Sequence, residues 1–237
     1  MRKEIQAPFF EIGPKTYLYG QQALELALEA DRAAEEFGVD VIFTAQYTDI
    51  RPIREAVRHI RVYAQHMDPI RPGRGIGAVL PEAIRQAGAD GVMLNHAERP
   101  LEFSVLAQTM SRAREVGLET IVCAADEEEA LRIAELEPTV LLVESPLLIG
   151  TGKRTPEQIA EVARLNAMIH EKKPAMHILH GAGISDERDV YEIVRAGAEA
   201  TGSTSGIMKA EDPARMTRRM LAAVRRAWDE NRKESYK

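Results

Sequence analysis

Residues 139–152 read Thr-Val-Leu-Leu-Val-Glu-Ser-Pro-Leu-Leu-Ile-Gly-Thr-Gly. Thr139–Val143 is a leucine-rich, β-branched run without alternation, the pattern of a strand buried on both faces of a parallel sheet. It ends in one carboxylate, Glu144. Beyond it, Leu147, Leu148 and Ile149 stand between Pro146 and the glycines Gly150 and Gly152. Three large aliphatic residues in a connection suit a segment that closes over something, stiff at the proline and pliant at the glycines. A carboxylate at the carboxyl end of a buried strand, beside such a lid, suits a catalytic base. An ordinary strand–loop–helix connection that happens to carry a Glu is the plainer alternative.

The same unit recurs on both sides of this stretch. Strands are expected at Ala7–Ile12, Val39–Ala45, Arg61–Ala64, Gly91–Asn95, Glu119–Cys123, Thr139–Val143, Met176–Leu179 and Glu199–Gly202. Helical patterns follow each: Gln21–Phe37, Ile53–Ile60, Pro81–Gln86, Leu101–Val116, Asp126–Ala134, Pro156–His170, Glu187–Ala196 and Asp212–Trp228, the last with a charged, frayed tail. Gly38 is a natural helix stop, and Pro81 suits a first helical turn. His66–Gly77 is too rich in Gly and Pro for regular structure. Eight strand–helix units in a chain of 237 residues predict an α/β protein with a closed (β/α)8 barrel, at about 250 residues per barrel. An open doubly wound sheet shares the alternation, but no G-x-G-x-x-G follows the first strand.

No linker or low-complexity stretch divides residues 1–237, so a single domain is expected. Hydrophobic residues make up 45% and charged residues 29%, with a net charge of −6. That balance offers nothing to nucleic acid or an anionic membrane. The lone Cys123 reads as a small buried hydrophobe. With no signal peptide or spanning stretch, the expected compartment is the cytoplasm.

Catalytic groups of a barrel gather at the carboxyl ends of its strands. Here those ends deliver Lys15 after the first strand, His96 after the fourth and Glu144 after the sixth. Glycine-rich turns follow the seventh (His180-Gly-Ala-Gly-Ile-Ser185) and the eighth (Gly202-Ser-Thr-Ser-Gly206). Each has a bland reading: Lys15 as a solvated charge, His96 as a structural histidine, the glycines as turns. Together their chemistry is complementary. Gly-rich loops offer consecutive N–H groups to an anion, and loops after strands seven and eight are common phosphate sites. Glu144 would abstract a proton beside a carbonyl, while Lys15 and His96 stabilise charge developing on oxygen. A helix expected just after His96 would keep its ring neutral.

The chain resembles the triosephosphate isomerase family, particularly its shorter archaeal type. The motifs that carry the resemblance are Val62-Tyr-Ala-Gln-His66, Leu94-Asn-His-Ala-Glu98, Leu148-Ile-Gly-Thr-Gly152 and Gly181-Ala-Gly-Ile-Ser185, within a likeness running from Lys15 to Pro213. It implies a TIM barrel, with Lys15 as the substrate lysine, His96 as the electrophile, Glu144 as the base and Ser145–Gly152 as the closing loop. Phosphate would meet backbone N–H groups at Gly150 and Gly152, at Gly183 and Ser185, and at Gly202 and Ser203. The implied partners are a small phosphorylated sugar and further copies of the chain, as a dimer or tetramer associating through His66–Gly77. No cofactor and no metal is implied, and no His/Cys/Asp cluster has ligand spacing.

Three positions depart from the family pattern. Gly13 stands where the family has asparagine, Ala97 where it has serine, and Ser145 where the archaeal type has proline. Gly13 is expected to remove a donor and open a small space. Ala97 leaves the resting partner of Glu144 open. Three readings of function follow: isomerisation of triose phosphate, the same chemistry on a tetrulose or branched sugar phosphate, and a barrel that binds a phosphometabolite without turnover.

Overall fold

A computed structural model describes residues 4–149 and 154–235. Eight parallel strands close on themselves: β1 (Phe9–Ile12), β2 (Asp40–Ala45), β3 (Arg61–Ala64), β4 (Gly91–Leu94), β5 (Glu119–Ala124), β6 (Val140–Val143), β7 (His177–His180) and β8 (Ala200–Ser203). Closure is made where β1 pairs with β8, Phe9 opposite Ala200 and Glu11 opposite Gly202. The open doubly wound alternative is thereby excluded.

The two faces of each strand have different partners. Phe9, Ile42, Tyr63, Ile121, Val140, Leu179 and Ala200 point inward and fill the barrel with one apolar cluster. Phe10, Phe43, Val62, Leu94, Val122, Leu141 and Ile178 point outward into a second cluster beneath the helices. Both faces are dry, which is why the strands read as continuous apolar runs. Burying a Phe or Leu side chain stabilises by about 1.5–3 kcal/mol, and truncating a fully buried one such as Phe10 to Ala costs about 3–5 kcal/mol. The amino end of the barrel is plugged by polar groups. Arg61 pairs with Glu119 at 3.1 Å, and the Tyr63 hydroxyl donates to Glu119 at 2.6 Å.

The outer helices are α1 (Gly20–Phe37), α2 (Ile50–Ala56), α3 (Pro81–Ala87), α4 (Phe103–Val116), α5 (Glu127–Ala134), α6 (Pro156–Lys172), α7 (Glu187–Arg195), the short α8 (Ser205–Met208) and α9 (Pro213–Ser235). Local sequence chooses several boundaries. Gly38 closes α1 at φ 62°, a left-handed angle that glycine adopts without strain. Asp126 and Asp186 cap α5 and α7 with their carboxylates, and Thr155 with Gln158 forms a capping box on α6.

Most boundaries fall within three residues of expectation; the ends of two helices differ by more, each for a tertiary reason. Helix α2 ends at Ala56 and not at Ile60, because Asp31 of α1 takes over the next amides. Its Oδ1 accepts from the N–H groups of Arg58, His59 and Ile60 at 2.9, 2.6 and 3.0 Å, which pulls the chain out of the helix. The expected frayed tail after Trp228 is instead helix. Arg195 and Val194 of α7 hold Asn231 and Glu234 of α9, with Asn231 Nδ2 donating to Val194 O at 2.7 Å and Arg195 donating to Glu234 at 2.8 Å. The His66–Gly77 connection is irregular as expected, yet closed at its base: Asp68 and Val79 exchange two hydrogen bonds, at 3.0 and 2.6 Å.

Candidate active site

The carboxyl ends of the strands surround a cavity of 780 Å³. Glu11, Lys15, His96, Glu144 and the loops 181–185 and 202–205 all line it, so the groups expected at the strand ends share one space. Position alone explains this: inward residues near the last register row of β1, β6, β7 and β8 converge on the barrel axis.

Glu144 follows β6, and its N–H donates to Ala124 O at 3.0 Å. Its carboxylate is nearly buried. Oε1 lies 3.2 Å from Nε2 of His96 but makes no hydrogen bond. That oxygen is shielded from water and holds no donor, so it is free to accept. Gly181 lies against it, where a Cβ would come within 3.0 Å of Oε2. The exposed Ala97 takes no part; the group that stands beside Glu144 is His96, in contact with it and without a hydrogen bond.

His96 is not set by a helix start, as the sequence suggested. Helix α4 begins at Phe103, too far along the chain for its dipole to act on the ring. The ring is oriented instead by Glu98, whose N–H donates to Nδ1 at 3.1 Å. With Nδ1 accepting, the proton sits on Nε2 and faces the cavity. Asn95, at φ 57°, holds the turn beneath: it donates to Cys123 O at 2.9 Å and accepts from Leu101 N–H at 2.9 Å.

Lys15 adopts a left-handed φ of 47°, a conformation that persists only when its surroundings impose it. Here Gln46, after β2, and Gln65, after β3, each donate a side-chain amide to Lys15 O at 3.0 Å. The ammonium pairs with Glu98 at 2.7 Å, and that bond holds the Glu98 carboxyl below its ordinary range. One residue thus orients the histidine with its N–H and the lysine with its carboxylate.

The phosphate side is mixed. Gly150 and Gly152 lie outside the described residues. Before them, Pro146–Leu148 forms a 3-10 turn that exposes Leu147 and turns Leu148 and Ile149 to the cavity. Gly183 lines the cavity, but the Ser185 N–H is already given to Asp189 at 2.8 Å. Gly202 and Ser203 belong to β8, and the Ser203 hydroxyl donates to Ile184 O at 3.0 Å. The loop proper starts at Thr204, and Thr204 and Ser205 join the lining. His180 is not in the site. It lies outside the barrel, donating Nε2–H to Asn166 at 2.8 Å, and burial with Arg154 nearby pushes it down to about 3.

Sequence reasoning passed over Glu11, Gln46, Gln65 and Arg154. Arg154 ties the start of α6 to the seventh loop through Gly181 O and Ala182 O, and no local signal marks it. Glu11 did leave a signal, as the one acid inside Phe9-Phe10-Glu11-Ile12. It is 6% exposed, and Thr44 donates its hydroxyl to Oε1 at 2.6 Å. Burial raises its carboxyl from the ordinary 4.5 to about 7; the Glu144 charge adds to the rise, opposed by the Thr44 bond, His96 and Lys15. Its carboxyl also fills the space expected at Gly13, where a Cβ would stand 3.0 Å from Oε1.

A family profile described as Triosephosphate isomerase matches residues 12–220. The triosephosphate isomerase of Sulfurisphaera tokodaii is 33% identical over 95% of this chain and 99% of its own. That of Methanobacterium bryantii is 37% identical over 90% of this chain and 95% of its own. A crystal structure of triosephosphate isomerase from Bartonella henselae superposes with a TM-score of 0.77 over 93% of this chain and 100% of that one, at 14% identity, a likeness that speaks for the fold alone. With relatives this similar along nearly their whole length, the chain belongs to the triosephosphate isomerase family.

Proposed function

We propose that the protein interconverts the aldose and ketose forms of a small phosphorylated sugar, glyceraldehyde 3-phosphate and dihydroxyacetone phosphate first of all. The observation that carries this reading is the unpartnered Glu144 Oε1, 3.2 Å from His96 Nε2 in the cavity that Lys15 also lines. Glu144 takes the proton from the carbon beside the carbonyl and returns it to the neighbouring carbon. His96 Nε2–H and the Lys15 ammonium stabilise the enediolate oxygens between those steps. One proton moves between the substrate carbons through Glu144, and one passes from the hydroxyl oxygen to the former carbonyl oxygen through His96 Nε2, which gives its proton to one and takes it back from the other; with both accounted for, the chemistry itself calls for no metal or organic cofactor.

Phosphate is bound by the glycine-rich rim at Gly150, Gly152, Gly183, Ser185, Gly202 and Ser203, with Thr204 and Ser205 added by their place in the lining. Ser185 N–H must leave Asp189 to take part. A larger, four-carbon substrate loses its main support, because Glu11 occupies the room that Gly13 was expected to leave. A binder without turnover needs neither an unquenched base nor an oriented imidazole. The remaining parts of the proposal are that residues 1–237 act as one barrel domain, in the cytoplasm, as a homo-oligomer joined through the 66–77 loop. No helix among the described residues is long and apolar enough to cross a membrane.

A coupled assay on purified protein tests the reading by comparing dihydroxyacetone phosphate with four- and five-carbon ketose phosphates. Turnover of the three-carbon substrate with the highest kcat/KM is expected. Turnover of a longer substrate only would replace the substrate, and turnover of none would replace the function.

A further inference from the structure

Glu11 has no part in the chemistry so far. It points inward from β1, lines the cavity and is almost fully buried, and an ionisable group in that position is strongly unfavourable unless it is neutral or satisfied. Its surroundings constrain it on three sides. Thr44 of β2 donates to Oε1 at 2.6 Å. On one flank, a Cβ at Gly13 would come within 3.0 Å of Oε1. On the other, a Cβ at Gly202 would come within 3.1 Å of Oε2 and 2.8 Å of the Glu11 carbonyl oxygen. Two bare backbones thus clamp one carboxyl group, and both glycines are explained by it.

With Oε1 accepting from Thr44, a proton carried by this acid is placed on Oε2. The charged or titratable groups facing it are Glu144 after β6, His96 after β4, Lys15 in the loop after β1 and the Cys123 thiol of β5. These include the three groups assigned to the reaction.

We propose that Glu11 is a further catalytic residue: as a neutral carboxylic acid it donates a hydrogen bond from Oε2 to the substrate oxygen on which enediolate charge develops, beside Lys15 and His96. This role rests on the isomerase reading above. The acid keeps its proton throughout, so it adds electrostatic stabilisation and transfers nothing. A carboxylic acid held neutral by an apolar enclosure is well suited to this task. The donor absent at Gly13, just past the end of β1, is supplied from two residues before it, on that strand. Burial, with a smaller contribution from the Glu144 charge, places its titration at about 7, against the opposing pull of Thr44, His96 and Lys15. Activity through this donor is therefore full well below that pH, falls as pH rises through it and is lost above it.

The test compares the wild-type chain with Glu11→Gln and Glu11→Leu, measuring kcat and KM for dihydroxyacetone phosphate across pH ~5.5 to ~9. Gln keeps the acceptor for Thr44 and a donor in place of Oε2–H, and does not titrate. It is expected to retain most of kcat and to lose the alkaline decline near 7. Leu is expected to lower kcat roughly 10²-fold with KM changed little. Leu matching the wild type, or Gln falling as far as Leu, overturns the role. Where Leu prevents folding, the Gln profile decides alone, and an alkaline limb unchanged in Gln overturns it. A wild-type chain without isomerase turnover would overturn the isomerase reading and this role with it, whereas full wild-type turnover with indifferent Glu11 variants overturns the role alone.

Discussion

Glu144 Oε1 stands 3.2 Å from His96 Nε2 and forms no hydrogen bond with it or any other described group. The base and the electrophile of the proposed reaction are therefore in contact before substrate arrives, with the lone pair of the base unquenched. Substrate then has to enter between them, its carbon toward Glu144 and its oxygen toward the imidazole. Shortening the base by one methylene should be severe. Glu144→Asp withdraws the carboxylate by about 1 Å, and kcat is expected to fall on the order of 10²–10³-fold with KM little changed. Steady-state kinetics check this, and near-normal turnover removes Glu144 from the role.

The strained Lys15 backbone depends on two amides from different strands, so its placement should degrade in steps. Gln65→Leu leaves the Gln46 bond to Lys15 O in place and is expected to lower kcat/KM only about threefold. The Gln46→Leu/Gln65→Leu double variant removes both and should lose roughly 10–100-fold, since a catalytic group misplaced by about 1 Å can cost that much. Equal kinetics in the single and double variants would show that something else holds the lysine.

Restoring asparagine at position 13 should fail in this background. Gly13 does not have a positive φ, so the backbone admits a side chain; the obstacle is Glu11, 3.0 Å from the new Cβ, with Thr204 Oγ1 at 3.3 Å. Gly13→Asn is expected to destabilise by about 1–3 kcal/mol, as overpacking does, and to lower activity on any sugar phosphate. Adding Glu11→Ala should recover the stability, which urea midpoints of the three variants would reveal. Additive losses would mean the two sites are not coupled.

His180 predicts a loss of stability in acid. Its folded-state titration lies at about 3 against an ordinary 6.5, chiefly through burial. As pH falls below 6.5 the unfolded chain binds a proton that the folded chain refuses, so stability declines from there down to about 3. Between about pH 7 and pH 5 this amounts to on the order of 2 kcal/mol. In His180→Gln, the difference between urea unfolding free energies at those two pH values should shrink by that amount. An unchanged difference would assign the acid sensitivity to other groups.

Periodicity, caps and glycine stops along the chain were enough to announce eight strand–helix units, a closed barrel, and Lys15, His96 and Glu144 at strand ends. These are local signals: a strand buried on both faces must read as an apolar run, and a left-handed helix stop favours glycine. The end of α2 was not legible, because Asp31 is 27 to 29 residues away in sequence and captures its amides only in the fold. For the same reason the last turns of α9 looked like a tail, since their partners are on α7.

Within the site, the sequence by itself determined which chemical groups reach the mouth of the barrel, because strand ends and an inward parity follow from the two-residue repeat. Only the tertiary structure decided how those groups are tuned. The tautomer of His96 comes from a backbone N–H two residues on, and the twist at Lys15 from amides on two other strands. The meaning of Glu11 comes from closing β1 against β8, which sets a carboxyl between two glycines 189 positions apart. Composition cannot announce such a thing: burial, and the proton it retains, is a property of the space around a residue and not of the residue itself.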